Sequence, residues 1–534
     1  MPRTCTYHPV RKRSRREGRR LRDGPIDEGG GAGGRGGPVG MLVAAELAAY
    51  GTDVALLEHR TTTSERPKAT TLHARTVQCL ARRGHLPEPF ARPGGDGNAM
   101  PFHFAGMSGL TISAPPTEPP PILKMPQAEL ERFFEARARA AGARVLRGHR
   151  VVGLARTSEG VRLEAEGPRG TVVLHGRYAV GADGARSTVR RLAGIESDTW
   201  PATATALMGQ VRLRDTGVLP PGWHRTPRGW LVVKDAPDGT VHLRTLDCDR
   251  PPADRQTPLT VAELSRETSR IAGRDVVMTE GRWLSRFSDF ARLARTYRAG
   301  PVLLAGDAAH VHFPVGGQGL STGLLDAVDL GWKLALVAAG DAPQALLDTY
   351  GAERRPAARR VVDNTRAQVA LMRPDSALDP VRDLLAGMFA PGGAGDPFAP
   401  MISAQDTVLP ALTPSSWEGT FLRNVALDAA DGPTDVIHLL RGGRPLLLLL
   451  GEDGERHLGA ARPWQDRLRV VRCAPVPELP CAALLVRPDG YVAWAPDGGG
   501  LGALGAVLAR WFGGGGGRPA PEGSVASGAG QPTG

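Results

Sequence analysis

The chain is poor in aromatic residues, which make up 5% of its 534 residues, and poor in cysteine, with five. Cys5, Cys79, Cys248, Cys473 and Cys481 form no CxxC pair and no Cys/His cluster with zinc spacing. That excludes a zinc-ribbon or thiol-redox reading, and the expectation is no metal site and no disulfide. So sparse and odd a set suits a reduced, cytoplasmic protein. No apolar run approaches the ~18 residues that span a bilayer. The longest, Leu446 to Leu450, reads as a buried strand, and no internal repeat is found. The formal charge of +11 does not describe a basic body. Nine basic residues stand against one acid, Glu17, in the first 22 positions, so +8 lies there. A nucleic-acid-binding surface is therefore not expected. The basic arm also lacks the apolar core of a secretory signal.

What is present is apolar material for two or three domains: 41% hydrophobic residues over a long chain. Residues 1–36 are Arg- and Gly-rich without periodicity and read as a disordered or atypical extension. From Pro38 the pattern changes. Met41, Leu42, Ala45, Leu47 and Ala48 predict a helix ending at Gly51. Val54 to Leu57 predicts a buried strand closed by Glu58. Residues 128–141 predict a helix, and 151–166 with 171–174 a hairpin-like strand pair. Residues 196–285 show alternating segments without long helical runs, hence a sheet-rich domain. Pro301 to Ala305 predicts a buried strand, and two long helices follow, about 320–338 and 343–372. Pro391 to Pro397 is a linker by composition. Strands at 444–450, 468–472 and 482–487 predict a further α/β domain, before a low-complexity tail.

A dinucleotide site needs a strand, a glycine turn, a helix and an acid ending the second strand. Two registers compete. Gly31-Ala-Gly33-Gly-Arg-Gly36 matches G-x-G-x-x-G literally. The alternative runs from Arg35 through Gly37 to Gly40, with arginine in place of the first glycine. The second is preferred. It puts Pro38 in the first helical turn, where a missing N–H is harmless, and Glu58 near the ~20-residue spacing that reaches a ribose. Upstream, Arg22 to Gly29 should be the central apolar strand and is not. Either residues up to about 36 are translated out of frame, or an atypical strand is tolerated.

Two further turns carry chemistry. Tyr178 to Arg190 reads strand, Gly181-Ala-Asp183-Gly184 turn, helix; Asp183 suits a turn organiser better than a phosphate ligand, because a carboxylate would repel phosphate. Residues 302–323 are more specific. A buried strand delivers Gly306 and Asp307 at its C-terminal end. A loop with Pro314, Gly316 and Gly317 then enters a long helix through Gly319, Leu320 and Ser321. Free N–H groups and the helix dipole converge there, which suits the N1–C2 carbonyl edge of a flavin.

These three ordered motifs resemble the FAD-dependent aromatic hydroxylases, the class A, para-hydroxybenzoate-hydroxylase-like flavoprotein monooxygenases, and most of all actinobacterial aromatic polyketide hydroxylases. Leu72-His73-Ala74-Arg75-Thr76, Pro126-Gln127, Tyr297-Arg298, Leu347 to Tyr350 and Glu353 to Pro356 match as well. The resemblance covers about Gly36 to Trp511. It implies an α/β chain (α+β overall): a Rossmann-like FAD-binding domain from 37–195 and 286–375, a substrate domain from 196–285, and a thioredoxin-like domain from 400–513 containing the Arg487 to Val492 strand turn. It implies FAD, with NADPH or NADH as reductant, and hydroxylation of an aromatic, polyketide-type small molecule by molecular oxygen through a flavin C4a-hydroperoxide. Partners would be that substrate and oxygen, with no nucleic acid or membrane; a homodimer is a candidate assembly. Cofactor contacts would come from Gly37, Gly40, Glu58 (adenosine ribose), Arg75 and Gln127 (pyrophosphate or ribityl), Asp183, Gly184, Gly306, Asp307 (ribityl hydroxyl), Gly319, Leu320 and Ser321. Pro314, Gly316 and Gly317 would border the reacting flavin edge. Ser321 stands where the family usually has asparagine. His73, His310 and His312 read as structural, and Arg354, Arg355, Arg359 and Arg360 as a solvated helix face. Rival readings are a flavin reductase without oxygenation and a non-enzymatic homologue with impaired FAD binding; the segment expected of a flavin halogenase is missing.

Overall fold

The computed structural model describes residues 37–248, 257–389, 397–411, 413–498 and 501–514. The expectations for the N-terminal extension, Cys5, most of the 391–397 linker and the tail beyond 514 lie outside the described residues. No helix among the described residues is long and apolar enough to cross a membrane.

The first helix, Gly37–Ala49, is apolar nearly all round and buries ten residues, so it belongs inside rather than on a surface. It packs between helices Gln127–Ala140 and Gln318–Ala339. A Cβ on Gly331 would stand 2.5 Å from Glu46 Cβ, so a glycine there sets how closely two of these helices approach. Parallel strands flank this core in two pieces. Ala55–Glu58 pairs with Arg144–Arg147, and Ala179–Gly181 pairs with Val302–Leu304. Among the described residues the remaining edges of Ala55–Glu58 and Ala179–Gly181 have no strand partner. Both pieces abut the start of the first helix: a Cβ on Gly40 would lie 3.9 Å from Leu56 Cδ1 and 3.4 Å from Ala182 Cβ.

The hairpin expected around 151–174 is a three-stranded meander, Arg150–Thr157, Gly160–Gly167 and Gly170–Gly176. The overlooked turn is marked by Gly160 (φ +142°), where a Cβ would strike Gly176 O.

The sheet-rich region is a five-stranded antiparallel sheet in the order Gly222–Thr226, Gly229–Asp235, Val241–Asp247, Thr205–Leu213, Met278–Ser288. Side chains alternate between its faces. One face carries Leu207, Val211, Leu231, Val233 and Leu243 against a helix, Val261–Ala272. That helix corrects the expectation of no long helical run: Leu264, Thr268 and Ile271 face inward, Thr260 caps its start, and Gly273 (φ +69°) ends it. The opposite face carries Ala206, Trp230, Leu246 and Phe287. It packs with Phe104, Phe313, Val315, Met372 and Phe389 from the rest of the chain.

The C-terminal region is a six-stranded mixed sheet centred on Leu446–Leu450, whose five leucines are all buried. Only its pairing with Arg469–Cys473 is parallel. Cys473 and Cys481 are free, and burial raises both thiols, Cys481 to about 11, so neither is prepared for thiolate chemistry.

Buried charges fasten this region to the rest. Arg82 pairs with Glu118 at 2.7 Å and donates to Leu422 O. Arg83 pairs with Glu46 and donates to Leu440 O. Arg487 joins Asp329, Glu353 and Asp489, and Lys333 joins the first two of these. Burial pushes Asp329 well above the usual carboxylate range despite Lys333. Arg354 is part of the same buried system, not of a solvated face: it is 4% exposed and paired with Asp326 at 2.9 Å. Of the predicted basic face, Arg359 and Arg360 do point outward, each to an acid.

Candidate active site

Three glycine turns meet at the start of the first helix. Gly37 (φ +46°) opens it, and its N–H donates to Glu58 Oε2 at 3.3 Å. Glu58 ends the adjacent strand, 2% exposed, with Oε1 accepting from Arg60 N–H at 2.8 Å and lying 2.8 Å from His59 Nδ1. Glycine turn, helix start and strand-end acid thus come together in the register ending at Gly40. A helix N-terminus with unspent N–H groups attracts an anion.

The second turn is self-contained. Asp183 accepts from Thr188 N–H (2.6 Å), Val189 N–H (3.1 Å) and the Ser187 hydroxyl, so its carboxylate caps helix Thr188–Leu192. Gly184 supplies the left-handed residue (φ +82°). A Cβ on Gly181 would stand 2.8 Å from Val189. Arg190 then donates to Ala308 O, tying this turn to the third.

In the third, Gly306 presses on the first helix: a Cβ there would meet Val39 at 3.2 Å, and one on Gly323 would meet Val39 at 2.8 Å. The contact is held by Asp326, a residue the sequence reading passed over. Fully buried, it accepts from Gly306 N–H (3.0 Å) and Arg354 Nε (2.9 Å) and lies 2.7 Å from His310 Nε2. Its signal was an acid within the apolar stretch from Gly323 to Val328. With the loop so fixed, Asp307 stands exposed between buried neighbours at the strand end. Pro314 is exposed too. Gly316 (φ +73°) and Gly317 (φ +66°) then turn the chain into helix Gln318–Ala339. Two successive left-handed residues strongly favour glycine. His73 holds this turn from the side, with Nε2 2.8 Å from Gly316 O. Burial lowers His73 to about 4, so it is neutral and Nε2–H donates. Gly319 packs on His312, where a Cβ would stand 3.2 Å from Nε2, and Leu320 is half-buried beside it.

Two residues expected to contact the cofactor have protein partners in this structure. Arg75 is buried, donates to Ala404 O, Gln405 O and Gln78 Oε1, and stacks 3.7 Å from the Phe421 ring centre. It braces the C-terminal connection. The Ser321 hydroxyl accepts from His73 N–H at 3.1 Å, which makes it a brace for the loop. Only long-range contacts reveal either role. Gln127, at the start of its helix, is half-buried, and its side-chain amide has no partner among the described residues.

The arrangement fits a dinucleotide cofactor. Glycines line the helix start, an acid sits at each of two strand ends, and a second helix N-terminus opens beside Pro314. Beyond Pro314, Phe313 packs 5.6 Å from Phe287 of the antiparallel sheet. Phe102 contacts His73 at 5.3 Å, and His103 packs on Trp223 at 4.5 Å. The groove is thus walled by apolar and aromatic groups opposite the glycine loop.

Comparisons with known proteins agree. Residues 34–365 match the family model described as FAD binding domain, and 415–515 the one described as aromatic-ring hydroxylase, C-terminal. The chain is 37% identical over 495 residues to the 12-dehydrotetracycline 5-monooxygenase/anhydrotetracycline 6-monooxygenase of Streptomyces rimosus subsp. rimosus, covering 89% of this chain and 97% of that protein. It is 35% identical over 483 residues to the dialkyldecalin synthase of Streptomyces rugosporus, covering 90% and 97%. The solved structure of OxyS anhydrotetracycline hydroxylase from Streptomyces rimosus superposes with a TM-score of 0.81 at 35% identity, covering 90% and 98%. With both halves matched and the glycine turns in place, the chain belongs to the FAD-dependent aromatic-ring hydroxylases.

Proposed function

We propose that this chain holds FAD along the three glycine turns and uses NADPH or NADH to hydroxylate a polycyclic, polyketide-type aromatic molecule in the cytoplasm. The observation that carries this is the left-handed Gly316–Gly317 pair opening a long helix beside Asp307 and Pro314, across from an aromatic-lined sheet face. Bound FAD supplies the reducing and oxygen chemistry, and the protein positions and shields it. Glu58 would accept from ribose hydroxyls, and the helix start at Gly37 to Gly40 would face the pyrophosphate. Asp307 would accept from a ribityl hydroxyl. The N–H groups from Gly317 to Leu320 would stabilise negative charge at the ring edge. Asp183, Gly184 and Gly306 would shape the cradle, Gln127 would offer its unspent amide, and Pro314 would border the reacting face. Neutral His73 donates to the Gly316 carbonyl and so holds the turn in place.

Replacing Asp307 with Ala should lower FAD affinity roughly ten- to hundredfold, the worth of a charged hydrogen bond of about 1.5–3 kcal/mol. Flavin retained after dialysis measures it, and unchanged retention removes the ribityl role. The dialkyldecalin synthase relative favours a second reading, in which the same groove shapes a substrate without oxygenating it. Turnover with NADPH and oxygen separates the readings. Oxygenated product supports hydroxylation; substrate rearranged with no reductant consumed supports the second reading. Reductant consumed without oxygenated product points to a reductase.

A further inference from the structure

The groove-facing side of the antiparallel sheet changes character along its strands. Cross-strand registry defines three rows: Ala206, Leu246 and Trp230; then Met208, Arg244 and Val232; then Gln210, His242 and Lys234. The first row is buried with Phe313 and Val315 beside Pro314. The next two lie about 7 Å and about 13 Å further along, and their outward side chains are half-buried or exposed. Lys124 lies near enough to Lys234 for the two charges to repel. Its ammonium donates to Thr71 Oγ1 at 2.8 Å, and Thr71 lies 3.5 Å from where a Cβ on Gly317 would stand. This cation therefore sits at the lip of the glycine loop.

The basic groups do not answer one another. The side chains of Lys234, His242 and Arg244 have no hydrogen bond or ion pair among the described residues, and Lys124 has no acid partner there. The neighbouring acid is Asp238, whose carboxylate accepts from Thr240 and Gln210. Asp235 occupies the other face of its strand. Burial and then Lys234 lower Lys124, and burial lowers Arg244. Mutual repulsion is relieved when an anion enters, and an arginine with its donors unspent is suited to grip one.

We propose that the recess formed by Lys124, Lys234 and Arg244 binds an anionic oxygen group of the aromatic substrate, an ionised phenol, enolised diketone or carboxylate, on the side of the molecule that lies beyond the buried row of Ala206, Leu246 and Trp230. This rests on reading the groove as the substrate's site. A ligand of several fused rings bridges the first row and the cationic rows, so its charge sets which ring edge meets the loop.

Equilibrium dialysis of the full chain with anthraquinone-2-carboxylate and with its neutral carboxamide tests this without relying on turnover. The wild type is expected to bind the carboxylate about tenfold or more tightly than the amide, with the preference shrinking as salt rises. Lys234→Gln and Arg244→Gln are each expected to reduce the preference while flavin content is unchanged. Lys234 is surface-exposed, so its variant reports even where the arginine variant fails to fold. Equal binding of the two probes by the wild type overturns the proposal. So does a raised KM for NADPH in both variants with the carboxylate preference intact, which would assign the recess to the reductant's phosphates. Absence of hydroxylated product alongside a clear carboxylate preference would instead count against the hydroxylase reading and leave the recess standing.

Discussion

A chimera in which residues 1–36 are replaced by a short apolar strand ending in a Gly-Ala-Gly turn is expected to hold FAD about ten- to hundredfold more tightly than the chain as written. The physical reason is the divided sheet. Ala55–Glu58 and Ala179–Gly181 each keep an edge without a strand partner among the described residues, and both adjoin the start of the first helix. A central parallel strand is buried on both faces and normally reads as a Val/Ile/Leu run. Asp23, Asp27 and Glu28 stand where that run belongs, and burying them unpaired is costly. Arg35 replaces the glycine of the turn, where a side chain resists the backbone at a cost of about 1–3 kcal/mol, the same range as the affinity change expected. Titration of apoprotein with FAD measures it. Equal affinities would mean that the existing N-terminus already completes the site.

Asp326→Ala is expected to cost about 3–5 kcal/mol of stability, because Arg354 is left as a buried charge without its partner and Gly306 N–H loses its acceptor. The loop bearing Asp307 should shift, so flavin retention should fall with stability. Asp326→Asn, which keeps an acceptor but not the charge, should lie between. The acid dependence has a definite sign. Burial alone would raise Asp326, but His310, Arg354 and the Gly306 N–H outweigh it, and the carboxylate sits below its ordinary 3.8. A group depressed on folding contributes stability above its unfolded value, lost as pH falls through the folded one. The urea midpoint of the wild type should therefore drop on acidification below about pH 4, and less steeply in the Ala variant. Indistinguishable midpoints for the two proteins at neutral pH would contradict the role given to Asp326.

Local pattern carried much of the fold. The helix from Gly37, the strand ending at Glu58, the helix over 127–140, the strand before Gly306 and the two long helices after it are all legible from apolar spacing and glycine punctuation. The site was legible where backbone conformation decides, as at Gly316 and Gly317, because a left-handed pair before a helix leaves a mark in sequence. It was not legible where a partner hundreds of residues away decides. Arg75 reads like a cofactor contact until Ala404, Gln405 and Phe421 are seen around it. Arg354 reads as surface until Asp326 is found beside it. Lys124 and Arg244 drew no notice because neither belongs to a motif, and only strand registry brings them to one groove.

The most direct test of the account is the visible absorption spectrum of the purified full chain after incubation with FAD and gel filtration. The account predicts a yellow protein carrying one FAD per chain, with flavin bands perturbed from those of free FAD. A colourless protein that retains no flavin would contradict it.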